Sequence, residues 1–299
     1  MPRISLKVDV DTLRGTLEGV PALLRMLARH ELRATFLFSL GPDHTGRALK
    51  RIFRPGFLAK VRRTSVGSNY GLKTLLYGTL LPGPDIGRRA AEPMRAAWRA
   101  GHEVGVHTWD HVLWQDYVAR RDRDWTRRQL QLAMQRFSDI FGRPPEVHGA
   151  AGWQMNDHAY ELEQELGFSL ASDGRGDAPF LPRVGERVLD VPQLPTTLPT
   201  LDELIGVDGL HAGNVAEHLL RLSLDGRDHV FTLHAELEGG QLAPVFEQLL
   251  QGWQDAGMRI CTLGAYAASL DLRSLPVRRV GMGTVPGRSG QLAVALPAA

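Results

Sequence analysis

The sequence predicts an α/β fold, a barrel-like (β/α) domain, on three observations. Eight short apolar runs alternate with amphipathic stretches at helical spacing, the pattern of a parallel sheet covered by helices. Several of these runs read as apolar throughout, as expected of strands buried on both faces. Nearly every run ends in polar residues, and in a parallel barrel such ends converge on one site.

The elements follow in order. Residues 4–10 form the first strand, which closes on Asp9-Val10-Asp11. Residues 18–30 carry Val20, Leu23, Leu24 and Leu27 on one helical face. Residues 34–40 return as a strand ending near Ser39. A helix at 90–100 precedes the strand at 103–107, which runs into His107 and His111. The helix at 126–141 stops at Gly142, and the strand at 146–150 leads to Trp153. A helix at 157–166 stops at Gly167. Strands at 169–172 and 188–193 end near Asp173, Arg175 and the Thr196-Thr197 pair. A helix at 214–224, a strand at 230–234 ending in His234, a helix at 244–256 and a strand at 259–262 complete the series. Residues 1–272 therefore read as one domain. Beyond it, 273–299 is rich in Arg, Gly and Pro and reads as a loosely ordered tail.

Composition bounds the function classes. The 299 residues are 43% hydrophobic and 23% charged, ordinary for a globular protein. A lone cysteine, Cys261, excludes an intramolecular disulfide and fits a reducing compartment. The first strand starts near residue 4, which leaves no room for a signal peptide, and no apolar run approaches the ~20 residues that span a bilayer. The expectation is a cytosolic protein, or one bound to a membrane from its cytosolic side.

The net charge of +2 hides an uneven distribution. Residues 44–84 contain no acid, but hold Lys50, Arg51, Arg54, Lys60, Arg62 and Arg63 among Leu, Ile, Phe and Tyr. Such a basic amphipathic insertion suits docking on anionic lipid or gripping a phosphate. An insertion packed on the core is the other reading. Nucleic acid fits less well, because the rest of the chain is close to neutral.

The chemistry resides in three strand ends. His107 and His111, four residues apart where a strand turns into a helix, can share a metal ion with Asp11. Such a set leaves positions open for water and a carbonyl oxygen, and suits zinc, cobalt, manganese or nickel alike. Position 108 is threonine, so this is not the zinc-protease motif. Amide hydrolysis also needs a base for the water and an acid for the departing amine. Asp9, on the same strand as Asp11, is the candidate base, and His234 the candidate acid.

These residues resemble the polysaccharide deacetylase or NodB-homology group of carbohydrate esterases, with motifs in the same order over roughly residues 4–265. Asp9 and Asp11 resemble its Asp-Asp pair, here split by Val10. His107-Thr108-Trp109-Asp110-His111 matches its His-[Ser/Thr]-x-x-His motif, and Leu233-His234 its last strand end. The resemblance implies a distorted (β/α) barrel, a divalent metal cofactor, Asp11, His107 and His111 as ligands, and Asp9 and His234 as base and acid. The family's groove arginine, which orients the base, is absent from Gly149-Ala150-Ala151-Gly152-Trp153. Arg175 is the expected substitute, and Trp153, Asp173, Arg175 and Glu236 are expected on the substrate side.

Longer stretches, such as 8–16, 38–43, 150–153 and 195–200, resemble one deformylase branch of the family. That branch implies a polyprenyl-phosphate substrate, 4-deoxy-4-formamido-L-arabinose on phosphoundecaprenol. It implies the inner-membrane cytosolic surface as the place of work, and lipid A modification with polymyxin resistance as the outcome. The alternative within the fold is an N-deacetylase of peptidoglycan or another polysaccharide, or another amidohydrolase.

Overall fold

Strand β1 (Arg3–Val10) sets the architecture through its alternation. Ile4, Leu6, Val8 and Val10 enter the main apolar core with Val20, Leu23, Phe246 and Trp253 of the covering helices. Ser5, Lys7 and Asp9 alternate with them, and by the two-residue period of a strand they point to the opposite face. Strand β2 (Thr35–Ser39) repeats the pattern: Phe36 and Phe38 join the main core, and Leu37 a separate one. The helix-facing side of the strands is apolar, and their inner side mixes the apolar Leu37, Val147, Leu170 and Val230 with the polar Ser5, Lys7 and Asp9 of β1.

The computed structural model describes residues 1–48 and 74–296. Lys50, Arg51, Arg54, Lys60, Arg62 and Arg63 of the basic run lie outside the described residues. Strands β3 (Glu103–Thr108), β4 (Val147–His148) and β5 (Leu170–Ala171) extend the sheet on one side of β1. On its other side lies β8 (His229–His234), giving the order β5-β4-β3-β2-β1-β8, and β9 (Arg259–Cys261) pairs with the start of β1. Every pairing in this sheet is parallel. Between β5 and β8 an irregular segment bridges the gap. Leu194 N donates to Ala171 O at 2.8 Å and Thr197 N to Val230 O at 3.1 Å. The barrel is closed there by loop backbone rather than by a regular strand, which is its distortion.

The helices match the expected positions. Arg123–Phe141 ends at Gly142 (φ 70°) and Asp157–Leu166 at Gly167 (φ 84°), left-handed conformations that favour glycine. Two expectations fail. Residues 188–193 are not a barrel strand; only Arg187–Val188 is extended, as β7, and it pairs with β6 (Leu181–Val184). The end of the chain is also no loose tail. β10 (Val277–Gly283) and β11 (Leu292–Ala295) join β6 and β7 in a second, four-stranded sheet. Burial holds it in place: Val280 and Met282 pack with Ala293 against Trp114, Tyr160 and Leu162. Among the described residues no helix is long and apolar enough to cross a membrane.

Candidate active site

His107 is the penultimate residue of β3, and His111 is the first residue of the helix His111–Tyr117. Asp110 between them caps that helix, its carboxylate accepting from Leu113 N at 3.0 Å. A strand end followed at once by a capped helix start turns the second imidazole back toward the first, and the ring centres lie 5.4 Å apart. Asp11 follows β1 on the neighbouring side. Its Oδ1 lies 3.2 Å from His107 Nε2 and its Oδ2 3.4 Å from His111 Nε2. The three side chains present a metal-sized group of ligand atoms, all within 4.8 Å of one another.

The donor set fits a divalent cation. His107 Nδ1 lies 2.6 Å from Gly149 O, which can only accept, so this nitrogen carries a proton. In the neutral imidazole that leaves a lone pair on Nε2, aimed at a carboxylate oxygen. Asp11 Oδ1 is buried and accepts no hydrogen bond from the described residues. Two acceptors facing each other at that distance call for a positive charge between them. Burial alone would raise the Asp11 pKa. The charge of His111 more than offsets it and holds the carboxyl well below the usual range.

Glu236 fixes the loop that carries Asp11. Its Oε1 accepts from Asp11 N at 3.1 Å and from Thr12 N and Oγ1 at 2.8 Å. Burial, then the neighbouring Asp11 charge, push its pKa up to about 8. Glu238 does the same for His234, accepting its backbone N at 2.7 Å, and burial lifts it to about 8. These two glutamates are therefore inward braces. The expected sugar contact by Glu236 gives way to this role, because its side chain is enclosed and engaged.

Asp9 and His234 flank the metal-sized group. Asp9 Oδ1 is buried, accepts no hydrogen bond from the described residues and lies 3.8 Å from His107 Nδ1. His234 ends β8 with the Trp153 ring edge-on at 6.4 Å, and its Nδ1 has no hydrogen-bond partner among the described residues.

The remaining expected residues stand elsewhere. Trp153 is buried, donates from Nε1 to Thr196 Oγ1 at 3.2 Å, and backs His234. Its ring is covered by the guanidinium groups of Arg288 at 4.6 Å and Arg175 at 5.2 Å. Asp173 is fully buried, 2.9 Å from His148 Nδ1, which also pairs with Glu163 at 2.6 Å. Its Oδ1 accepts from Ala150 N at 2.8 Å, so it supports the turn after β4 and faces no substrate. Arg175 does not stand beside Asp9. Its guanidinium is taken by Glu203, at 2.7 and 3.0 Å, and by Leu198 O at 3.0 Å. The cation beside Asp9 is Lys7, whose Nζ lies 3.5 Å from Oδ2. The sequence carried a signal for it: Lys7 is two residues before Asp9, hence on the same strand face.

Comparisons with known proteins bear on the family and the fold. Residues 3–171, more than half of the chain, match the model of the family described as polysaccharide deacetylase. A protein of Shewanella sediminis named "Probable 4-deoxy-4-formamido-L-arabinose-phosphoundecaprenol deformylase ArnD" is 40% identical over 248 residues, 83% of this chain and 80% of that one. A protein of the same name from Wigglesworthia glossinidia brevipalpis is 30% identical over 280 residues, 93% and 97% of the two chains. Among solved structures, one from Mycobacterium smegmatis assigned to the polysaccharide deacetylases superposes with a TM-score of 0.65 at 20% identity, covering 95% of this chain and 94% of that one. A "probable Polysaccharide deacetylase" from Pseudomonas aeruginosa PAO1 gives 0.57 at 16% identity, covering 87% and 86%. These structures share the fold, a distorted (β/α) barrel.

Proposed function

The chain belongs to the polysaccharide deacetylase family, and from that premise we propose that it is a deformylase. It hydrolyses the formamide of 4-deoxy-4-formamido-L-arabinose carried on phosphoundecaprenol. The observation that carries this reading is the 40% identity to a relative of that name over four-fifths of both chains. The site supports it, because all the groups needed for amide hydrolysis meet at one end of the barrel.

Asp11, His107 and His111 would hold a divalent cation. When bound, it supplies positive charge that polarises the formyl carbonyl and makes a nearby water more acidic. Asp9, with Oδ1 available, accepts the proton of the attacking water. The water oxygen bonds to the formyl carbon, and the C–N bond breaks as His234 protonates the departing nitrogen. Formate and the free amine of the sugar result. An amide nitrogen leaves poorly without that proton, so a donor opposite the base is a requirement of the reaction.

The substrate is a lipid, so the work belongs at a membrane surface. The acid-free stretch 44–84, with Lys50, Arg51, Arg54, Lys60, Arg62 and Arg63, has the composition for a peripheral contact with anionic head groups. The single cysteine is consistent with the cytosolic face of the inner membrane. The free amino sugar would then serve lipid A modification.

The test is formate release from the formamido-arabinosyl lipid by metal-loaded protein. Wild type should release formate in proportion to amine formed. Acetate release from an N-acetylglucosamine oligomer, with no formate from the lipid, would overturn the substrate and favour the polysaccharide deacetylase alternative.

A further inference from the structure

Lys7 ranks among the largest fully buried side chains of the protein, and the reaction above leaves it unused. An ammonium is three donors with no acceptor, and burying it without a charged partner is costly. Its Nζ donates to Ser172 O at 2.8 Å and lies over the Trp153 ring at 5.5 Å. Among the described residues, Asp9 is its one carboxylate at ion-pair distance, 3.5 Å away.

The ammonium is also held from behind. Gly149 lies so close that a Cβ there would sit 3.1 Å from Lys7 Cε. Ser172 O, the indole and the Gly149 backbone leave the side chain little freedom. The Asp9 carboxylate, in contrast, has few other supports. His107 Nδ1, 3.8 Å from it, spends its proton on Gly149 O.

We propose that Lys7 is the positioning residue of the base. It ties Asp9 Oδ2, balances its charge, and leaves Oδ1 turned to the water that attacks the formyl carbon. This rests on the reading of Asp9 as the base of a deformylase. It assigns to a strand lysine the task for which sequence comparison pointed to Arg175.

The experiment is a double-mutant cycle with Lys7→Met and Asp9→Asn, read by melting temperature without substrate and by formate release with it. Lys7→Met should lower kcat about 10²-fold while KM stays within about threefold and the bound metal content is unchanged. Each single variant should melt lower than wild type, and the double should regain at least half of the summed loss, because the two buried charges leave together. Additive melting shifts, a kcat within about threefold of wild type, or a loss explained by KM or by missing metal overturns the proposal. If Lys7→Met alone does not fold, the double variant decides: it should fold, and failure to fold overturns the pairing. A wild type that releases no formate from the lipid overturns the functional reading instead, and the melting cycle still reports on Lys7 and Asp9.

Discussion

Asp9 and His234 are register partners on the adjacent parallel strands β1 and β8. Neighbouring strands run about 4.8 Å apart, so one rung of the sheet presents a carboxylate beside an imidazole. Asp11 follows just beyond the end of β1, so a carboxylate and an imidazole flank the candidate metal position at the barrel mouth.

The two roles separate on a change of leaving group. His234→Ala should lose about 10²- to 10⁴-fold in kcat on the formamide but far less on an aryl formate ester, whose leaving group needs no proton. Asp9→Asn should lose activity on both. Equal losses on both substrates for His234→Ala, measured as formate, would contradict the donor role.

Glu236→Ala should weaken the metal centre without touching a ligand. The substitution strands Asp11 N, Thr12 N and Thr12 Oγ1, at a cost of about 1–3 kcal/mol. Metal affinity should fall about 10- to 100-fold in a competitive chelator titration, and Glu236→Gln, which keeps an acceptor, should stay closer to wild type.

The buried His148–Glu163–Asp173 cluster makes stability depend on pH. Burial would lower the His148 pKa, but Asp173 and then Glu163 raise it from 6.5 to about 10. This contribution is complete below 6.5 and is lost as pH rises through about 10. Burial would raise Asp173, but His148 holds it at about 2 against 3.8, so its contribution is present above 3.8 and is lost as pH falls through about 2. Denaturant unfolding should therefore show a His148-dependent fall in stability from pH 6.5 upward, on top of the fall above pH 4.5 that Glu236 and Glu238, raised to about 8, contribute. His148→Asn should flatten that slope and cost about 3–5 kcal/mol at pH 6. An unchanged slope in the variant would place the effect elsewhere.

Gly149→Ala should damage the site through its backbone. The added Cβ would meet Leu37 Cδ1 at 2.3 Å and Lys7 Cε at 3.1 Å, beside the carbonyl that holds His107. A stability loss of about 1–3 kcal/mol with reduced metal affinity is expected. Normal metal binding by calorimetry would argue that the His107 hydrogen bond tolerates the shift.

The barrel and its polar mouth were legible because strand and helix periods survive in the sequence, and because strand ends of a parallel sheet must meet. Asp11, His107, His111, Asp9 and His234 all sit at such ends. Lys7 shares a strand face with Ser5 and Asp9, alternating with Ile4, Leu6 and Val8, but nothing local distinguishes it from a lysine that reaches solvent. Arg175 was misplaced because its true partner, Glu203, lies 28 residues away and nothing local announces it. The second sheet escaped for the same reason. Its strands are short, two of them carry glycine or proline, and their pairing joins 181–184 to 277–283.

β1 finds its neighbours β8 and β9 near the other end of the chain, and Asp11 N is 225 residues from the Glu236 that holds it. Contacts of such separation close late and slowly during folding. The loop that carries Asp11 is therefore held by a residue more than two hundred positions downstream, and a fragment cut between Thr12 and Glu236 would keep both aspartates but lose the carboxylate that fixes that loop.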